Sequence, residues 1–244
     1  MKPFLFLGIR AQDPAADDEY AAVLRCAGLD ERDVRRVRIE SEVLGPVELS
    51  EWSGIVVGGG PWNVSDPEPL KDDAQRRGEA RLRELALQVT EHDFPFLGAC
   101  YGIGTLGTLA HGVVDRTYAE PIGPMAIRLT QHGRADQLLG VLPEQFTALL
   151  GHKEAVSRLP DGAVLLASSA TCRVQAFRLG ENVYAMQFHP ELDHAGIVTR
   201  TEVYRHFGYF EPDEGDELVR LARAAVVTEP PRILARFVEL FARD

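Results

Sequence analysis

Phe94-Pro95-Phe96-Leu97-Gly98-Ala99-Cys100-Tyr101-Gly102-Ile103-Gly104 is the stretch from which the rest of the chain is read. Two Phe and a Leu in a short apolar run predict a buried strand, and the run ends at a corner of small residues. Beyond Cys100 the spacing changes, and Leu106, Leu109 and Ala110 fall at helical intervals. A cysteine therefore stands at a sharp strand-to-helix turn, with Gly98 and Gly102 on either side to permit close approach of neighbouring chain. Such an elbow predicts an exposed thiol beside a helix N-terminus, whose partial positive charge favours thiolate. Taken alone, these residues also fit a buried cysteine beside a tight turn.

Working outward, 244 residues with 45% apolar and 26% charged content predict one large soluble α/β domain spanning 1–244. The formal net charge of −11 excludes a general nucleic-acid or anionic-membrane partner, because phosphate binding needs clustered Lys and Arg. The apolar run Phe4 to Ile9 is too short to span a membrane and lacks a small-residue cleavage site. Cys26, Cys100 and Cys172 are odd in number and far apart, as suits a reducing compartment without a disulfide framework. A cytoplasmic protein with no metal and no cofactor is the expectation.

Strands are expected at Phe4–Ile9, at Val34–Ile39 near a sheet edge, and at Ser53–Val57, which runs into Gly58-Gly59-Gly60-Pro61. Helices are expected from Pro14 to Ala27, with Gly28 as C-cap, and from Leu70 to His92, where Gly78 bends or divides the pattern. Alternating strands and helices predict a mainly parallel central sheet flanked by helices. Its active groups gather at the carboxyl ends of the strands, which makes Gly58–Pro61 and Cys100 neighbours. Between Gly112 and Val183, short runs at 126–129, 146–150, 163–167 and 173–178 predict additional antiparallel strands. Val183–Phe188 is a further strand. From Ala195 the chain reads as helical with a break at Glu229-Pro230-Pro231, the part beyond about 211 forming a C-terminal extension that packs on the domain or makes a dimer surface.

The strand at 183–188 leads into His189-Pro190-Glu191. Pro190 disfavours helix for His189, and in extended chain residues two apart point the same way, so Glu191 can orient the imidazole. If the other ring nitrogen faces Cys100, the three make a nucleophile, a base and an orienting acid. His189 with His194 as zinc ligands is the weaker alternative, since Pro190 opposes the helix that would align them. Thiolate attack on a carbonyl needs an oxyanion hole, for which Tyr101 N–H and Gly60 N–H are the candidates. A phosphate loop at Gly58–Gly60 is opposed by the lack of a following Gly-Lys-Ser/Thr.

Gly-Gly-Pro after the third strand, Gly-Ala-Cys-Tyr-Gly at the elbow, Gln-Phe-His-Pro-Glu late in the chain and Gly151-His152-Lys153-Glu154-Ala155-Val156 together resemble class I glutamine amidotransferases. The last segment is similar to one in the glutaminase domain of GMP synthetase. The resemblance covers roughly residues 4 to 200 and implies Cys100, His189 and Glu191 as a triad, Gly60 and Tyr101 as the oxyanion hole, and hydrolysis of a glutamine side-chain amide through a γ-glutamyl thioester. It also points to Gly59, Gly104, Gly151 and His152 as the substrate wall, His152 either contacting the substrate's amino-acid end or capping a turn. Two departures stand out: the family has Gln where this chain has Gly104, and Ser where it has Gly151. Both remove polar contacts and predict a wider pocket.

Three functions follow. A glutaminase would pass ammonia to a separate synthetase subunit, since no ATP-binding loop is visible here. A stand-alone γ-glutamyl hydrolase would take larger γ-glutamyl amides or peptides into the widened pocket. A silent regulatory homologue would keep the fold without the chemistry.

Overall fold

A computed structural model describes residues 1–244. In chain order its main elements are β1 (Phe4–Gly8), α1 (Asp13–Ala27), β2 (Val34–Arg38), β3 (Ile55–Val57), α2 (Asp73–Glu91), β4 (Phe96–Ala99) and α3 (Tyr101–Gly107). Then follow β5 (Val113–Asp115), β6 (Glu120–Leu129), α4 (Gln131–Ala135), β7 (Gln145–His152), β8 (Ala155–Arg158), β9 (Val164–Ser168), β10 (Ala176–Leu179) and β11 (Val183–Met186). Three helices close the chain: α5 (His194–Val203), α6 (Gly215–Ala224) and α7 (Pro231–Phe241).

Nine strands form one sheet in the order β2-β1-β3-β4-β11-β10-β9-β6-β7, and β5 pairs with β8 in a small second sheet. Pairing is parallel from β2 through β11 and antiparallel from β11 through β7. Along β1, Phe4 and Phe6 enter one apolar core while Leu5 and Leu7 enter the other, as the two-residue period requires when helices cover both faces. The parallel strands all finish on one side. Arg10, Gly58–Gly60, Cys100 and His189 therefore emerge at a common edge.

Helix limits follow local chemistry. Gly28, at φ 68°, ends α1, and its N–H bonds the Arg25 carbonyl. Asp72 caps α2 by accepting from Gln75 N–H at 2.7 Å, and Asp193 caps α5 through Gly196 N–H at 2.9 Å.

Two expectations need correction. Gly78 does not divide α2, which runs unbroken from Asp73 to Glu91; a Cβ there would lie 2.7 Å from the Trp62 ring, so the glycine is a seat for that indole. The chain after Ala195 is also not continuous helix, because α5 ends at Val203 and α6 starts only at Gly215. The intervening turns carry Tyr204, whose ring meets Phe207 edge-on and Tyr209 at a tilt. At the far end Ile233, Leu234 and Phe237 of α7 are buried, Phe237 against Phe4, and Lys2 N–H bonds the Arg243 carbonyl at 2.7 Å. Truncating a ring buried like Phe237 costs about 3–5 kcal/mol, so this tail is part of the core. No helix is long and apolar enough to cross a membrane.

Candidate active site

Cys100 sits between β4 and α3 with φ 52° and ψ −93°, a conformation that L residues rarely adopt. The turn is tight enough that a Cβ on Gly98 would lie 2.8 Å from the Gly102 backbone. Cys100 N–H holds the elbow to the neighbouring strand by donating to the Met186 carbonyl at 2.8 Å. The thiol is half-buried rather than freely exposed. Burial pushes its pKa up, to about 12, while Arg10 and Arg200 pull it back toward thiolate.

His189 follows a bend at Gln187–Phe188 beyond β11, and Pro190–Glu191 form a turn where the sequence predicts extended chain, with Leu192 N–H donating to the His189 carbonyl at 3.4 Å. The turn still brings Nδ1 onto Glu191 Oε1 at 2.8 Å. That contact turns Nε2 away from the acid. Nε2 and the Cβ of Cys100 both lie 3.0 Å from the point where a Gly59 side chain would begin. Any side chain at Gly59 would collide with the imidazole, its Cβ falling 2.4 Å from His189 Cε1. The ring is buried, and burial lowers its pKa against the opposing pull of Glu191. For Glu191, burial alone would raise the pKa; the charges of His189 and Arg200 outweigh it and hold the carboxyl well below its usual range.

Two cavities meet at Cys100. The first, about 40 Å³, is lined by Cys100, His189, Arg10, Arg200, Tyr204 and Tyr209, among others. The second, about 20 Å³, lies toward Tyr101, His152 and Glu154. Gly60, Gly151, Tyr209 and Cys100 border both. Gly60 N–H donates to no protein group, and its carbonyl accepts from the Tyr209 hydroxyl at 3.2 Å. Tyr101 heads α3, with its ring edge-on to Trp62.

The substrate-wall residues differ from expectation. Gly59 N–H is taken by Glu19 Oε1 at 3.2 Å. Gly104 does not open the site, because its side-chain space is filled by the Glu154 carboxylate and Val64, each 3.2 Å from a Cβ placed there. The carboxylate oxygens of Glu154 accept from Val64 N–H and Ser65 N–H, both at 2.8 Å. At Gly151 a Cβ would lie 2.8 Å from the Ile122 backbone. The pocket is filled, not widened. His152 borders the second cavity, yet Nδ1 bonds the Glu154 carbonyl at 2.9 Å and Nε2 bonds Glu120 Oε2 at 2.8 Å. Neither ring nitrogen is left over.

Behind Cys100, His189 and Glu191 lies a buried charge array that the motifs do not announce. Glu19 Oε1 accepts from Arg10 Nε at 3.0 Å, and Arg200 Nη2 donates to Glu191 Oε1 at 2.7 Å. A signal exists in the sequence: Glu19 falls on the same stripe of α1 as the buried Ala15, Ala16, Ala22 and Val23, and Arg200 lies with Ile197 and Thr201 on α5. A charge on an apolar stripe is a buried charge, and a buried charge needs partners. Arg200 fills the space between the Glu19 and Glu191 carboxylates, where a metal ion would otherwise have to sit.

Comparison with known proteins gives the chain a family. The family model described as Glutamine amidotransferase class-I matches residues 20–200. A glutamine-hydrolyzing GMP synthase subunit from Thermoplasma acidophilum is 28% identical over 186 residues, covering 76% of this chain and 82% of the relative. The protein of the same description from Saccharolobus solfataricus is 30% identical over 183 residues, covering 72% of this chain and 88% of the relative. In fold, the chain is similar to a glutamine amidotransferase from Thermotoga maritima, with a TM-score of 0.77 at 17% identity and full coverage of both chains.

Proposed function

Because the chain belongs to the glutamine amidotransferase class-I family, we propose that it hydrolyses the side-chain amide of glutamine to glutamate and ammonia, with Cys100 as nucleophile, His189 as base and acid, and Glu191 as the orienting carboxylate. The observation that carries this reading is the strained elbow thiol sharing one cavity with an imidazole whose other nitrogen is held by Glu191.

In the reaction, Cys100 sulfur attacks the carboxamide carbon as His189 Nε2 takes the thiol proton. The amide oxygen becomes an oxyanion within reach of Gly60 and Tyr101 N–H, a pair of donors worth roughly 3 kcal/mol or more. His189 then hands its proton to the nitrogen, the C–N bond breaks, and ammonia leaves a γ-glutamyl thioester. Water attacks that thioester with His189 again accepting a proton, and breaking the C–S bond restores the thiol and releases glutamate.

The leaving nitrogen must face His189, which borders the cavity of about 40 Å³. Since roughly 10–15 Å³ of such space holds a water, this side has room for the ammonia and the hydrolytic water that turnover of free glutamine requires. The filled space at Gly104 and Gly151 supports the same preference for free glutamine over larger γ-glutamyl amides. Relatives described as one subunit of GMP synthase support delivery of the ammonia to a separate synthetase chain.

The deciding experiment is glutamine-dependent release of ammonia by the purified protein, beside Cys100→Ala. Release by the parent and none by the variant is expected. Equal release from both would remove Cys100 from the mechanism.

A further inference from the structure

We propose that Glu19 is a positioning residue for this reaction: a single buried carboxylate oxygen holds both the glycine loop that carries the oxyanion donor and the cation that grips the triad acid. The inference rests on the glutaminase reading above and adds a residue to it.

Gly58-Gly59-Gly60 is, by composition, the segment freest to rotate near the site, since glycine surveys more backbone conformations than any other residue. Yet an oxyanion donor must be held within about 0.5 Å of its place. Glu19 supplies the missing constraint. Its Oε1 accepts from Gly59 N–H at 3.2 Å, which fixes the Gly58–Gly59 peptide plane, one unit before the one that carries Gly60 N–H. The loop passes so close to this carboxylate that a Cβ on Gly58 would lie 2.8 Å from Glu19 Oε2.

The same Oε1 faces Arg200 Nη2 at 3.5 Å, and that nitrogen donates to Glu191 Oε1 at 2.7 Å, the oxygen that also pairs with His189. Arg10 completes the array, with Nε on Glu19 and Nη1 donating to the Tyr204 hydroxyl at 3.1 Å. Glu19, His189 and Glu191 bring polar atoms within 4.8 Å of one another. Two guanidinium groups are thus matched by two carboxylates, which leaves the array neutral when His189 is neutral. The charge that appears on His189 during attack then meets no excess positive charge. Without Glu19 it would meet one.

The groups facing His189 and Cys100 are Glu191 on the same segment, Arg10 after β1, Glu19 on α1, Glu154 after β7, Arg200 on α5, and Tyr204 and Tyr209 beyond it, while Asp18 on α1 acts one step further out, on Arg200 and Glu191. Removing the Glu19 charge shifts the balance of this set toward positive. The thiolate then forms at lower pH, and the imidazolium forms less readily.

The test uses Glu19→Gln, which keeps an oxygen for Gly59 N–H but drops the charge, beside Glu19→Ala, which drops both. For Glu19→Gln the expected result is kcat for glutamine lowered about 10-fold or more with KM changed less than threefold. The pH dependence of Cys100 alkylation by iodoacetamide, read by mass on the Cys100 peptide, should move about one unit lower. For Glu19→Ala the expected loss in kcat is about 10²-fold or more, the scale of losing an oxyanion donor. Parental kcat and an unmoved alkylation profile in Glu19→Gln overturn the proposal. So does a loss confined to thermal stability. If the parent protein releases no ammonia from glutamine, the glutaminase reading fails separately; an unmoved alkylation profile would then still overturn the role of Glu19, and a shifted one would sustain its coupling to the thiol.

Discussion

The molecule contains two buried histidine–carboxylate pairs of the same length, His189 with Glu191 and His152 with Glu120, each at 2.8 Å. They differ in what is left over. In the first, only Nδ1 is engaged, and Nε2 is free on the side of Cys100. In the second, both ring nitrogens are taken, and Glu120 is saturated by Ser169, Thr171 and Gln175 as well. A short imidazole–carboxylate contact is therefore no mark of catalysis in itself. On the proposed mechanism the unspent nitrogen is what would let one ring move a proton, while the other ring acts as a strut between β6 and β7.

The sharpest way to break this contrast is to remove each ring in turn. His189→Asn should lower kcat for glutamine about 10³-fold or more while leaving urea stability within about 1 kcal/mol, because it removes the proton carrier and little packing. Glu191→Gln should follow with a loss of about 10²-fold or more, since the ring keeps its place and loses its charge partner; steady-state ammonia release measures both. On the other side, Glu120→Gln should leave kcat within about fivefold and instead cost about 2–3 kcal/mol in urea denaturation, because buried donors lose their ionised acceptor. If Glu120→Gln were to abolish turnover at full stability, the strut reading would fail.

The smallest effect is on pH. Glu120 and Glu191 keep their protons off more firmly in the folded chain than unfolded, burial opposing this and hydrogen bonds and cationic neighbours prevailing. His189, chiefly through burial, also takes up its proton less readily than in the unfolded chain. In each case the unfolded state binds more protons, so stability is full near neutrality and falls as pH drops through about 6.5 and then through the carboxylate range. Urea midpoints between pH 7 and pH 4 should show this fall, and Glu120→Gln should flatten its lower part. A midpoint that rises on acidification would reverse the assignment.

How much of this is legible from the residues alone depends on how local the cause is. The elbow at Cys100 is readable because strand period and small residues act within a few positions; the pair His189 and Glu191 is readable from its spacing, although the chain there makes a turn and not the extended piece that Pro190 predicts. The mixed sheet is readable from the change in texture after Gly112. The short strands β5 and β8, of three and four residues, carry too few positions for a period to show. Gly78, Gly104 and Gly151 mislead for another reason. An absent side chain shows where space begins, but Trp62, Glu154 and Ile122, which fill that space, come from elsewhere in the chain. Glu19, Arg10 and Arg200 pass for solvated charges, although the apolar stripe around Glu19 is a usable warning.

Tyr204 and Tyr209 stand beyond residue 200, where the family match stops, yet both border the cavity at Cys100, and Tyr209 is tied to the Gly60 carbonyl. The segment past the family boundary thus serves two ends of the molecule at once, its last helix closing the core and its tyrosines roofing the hollow over the Cys100 sulfur against bulk solvent.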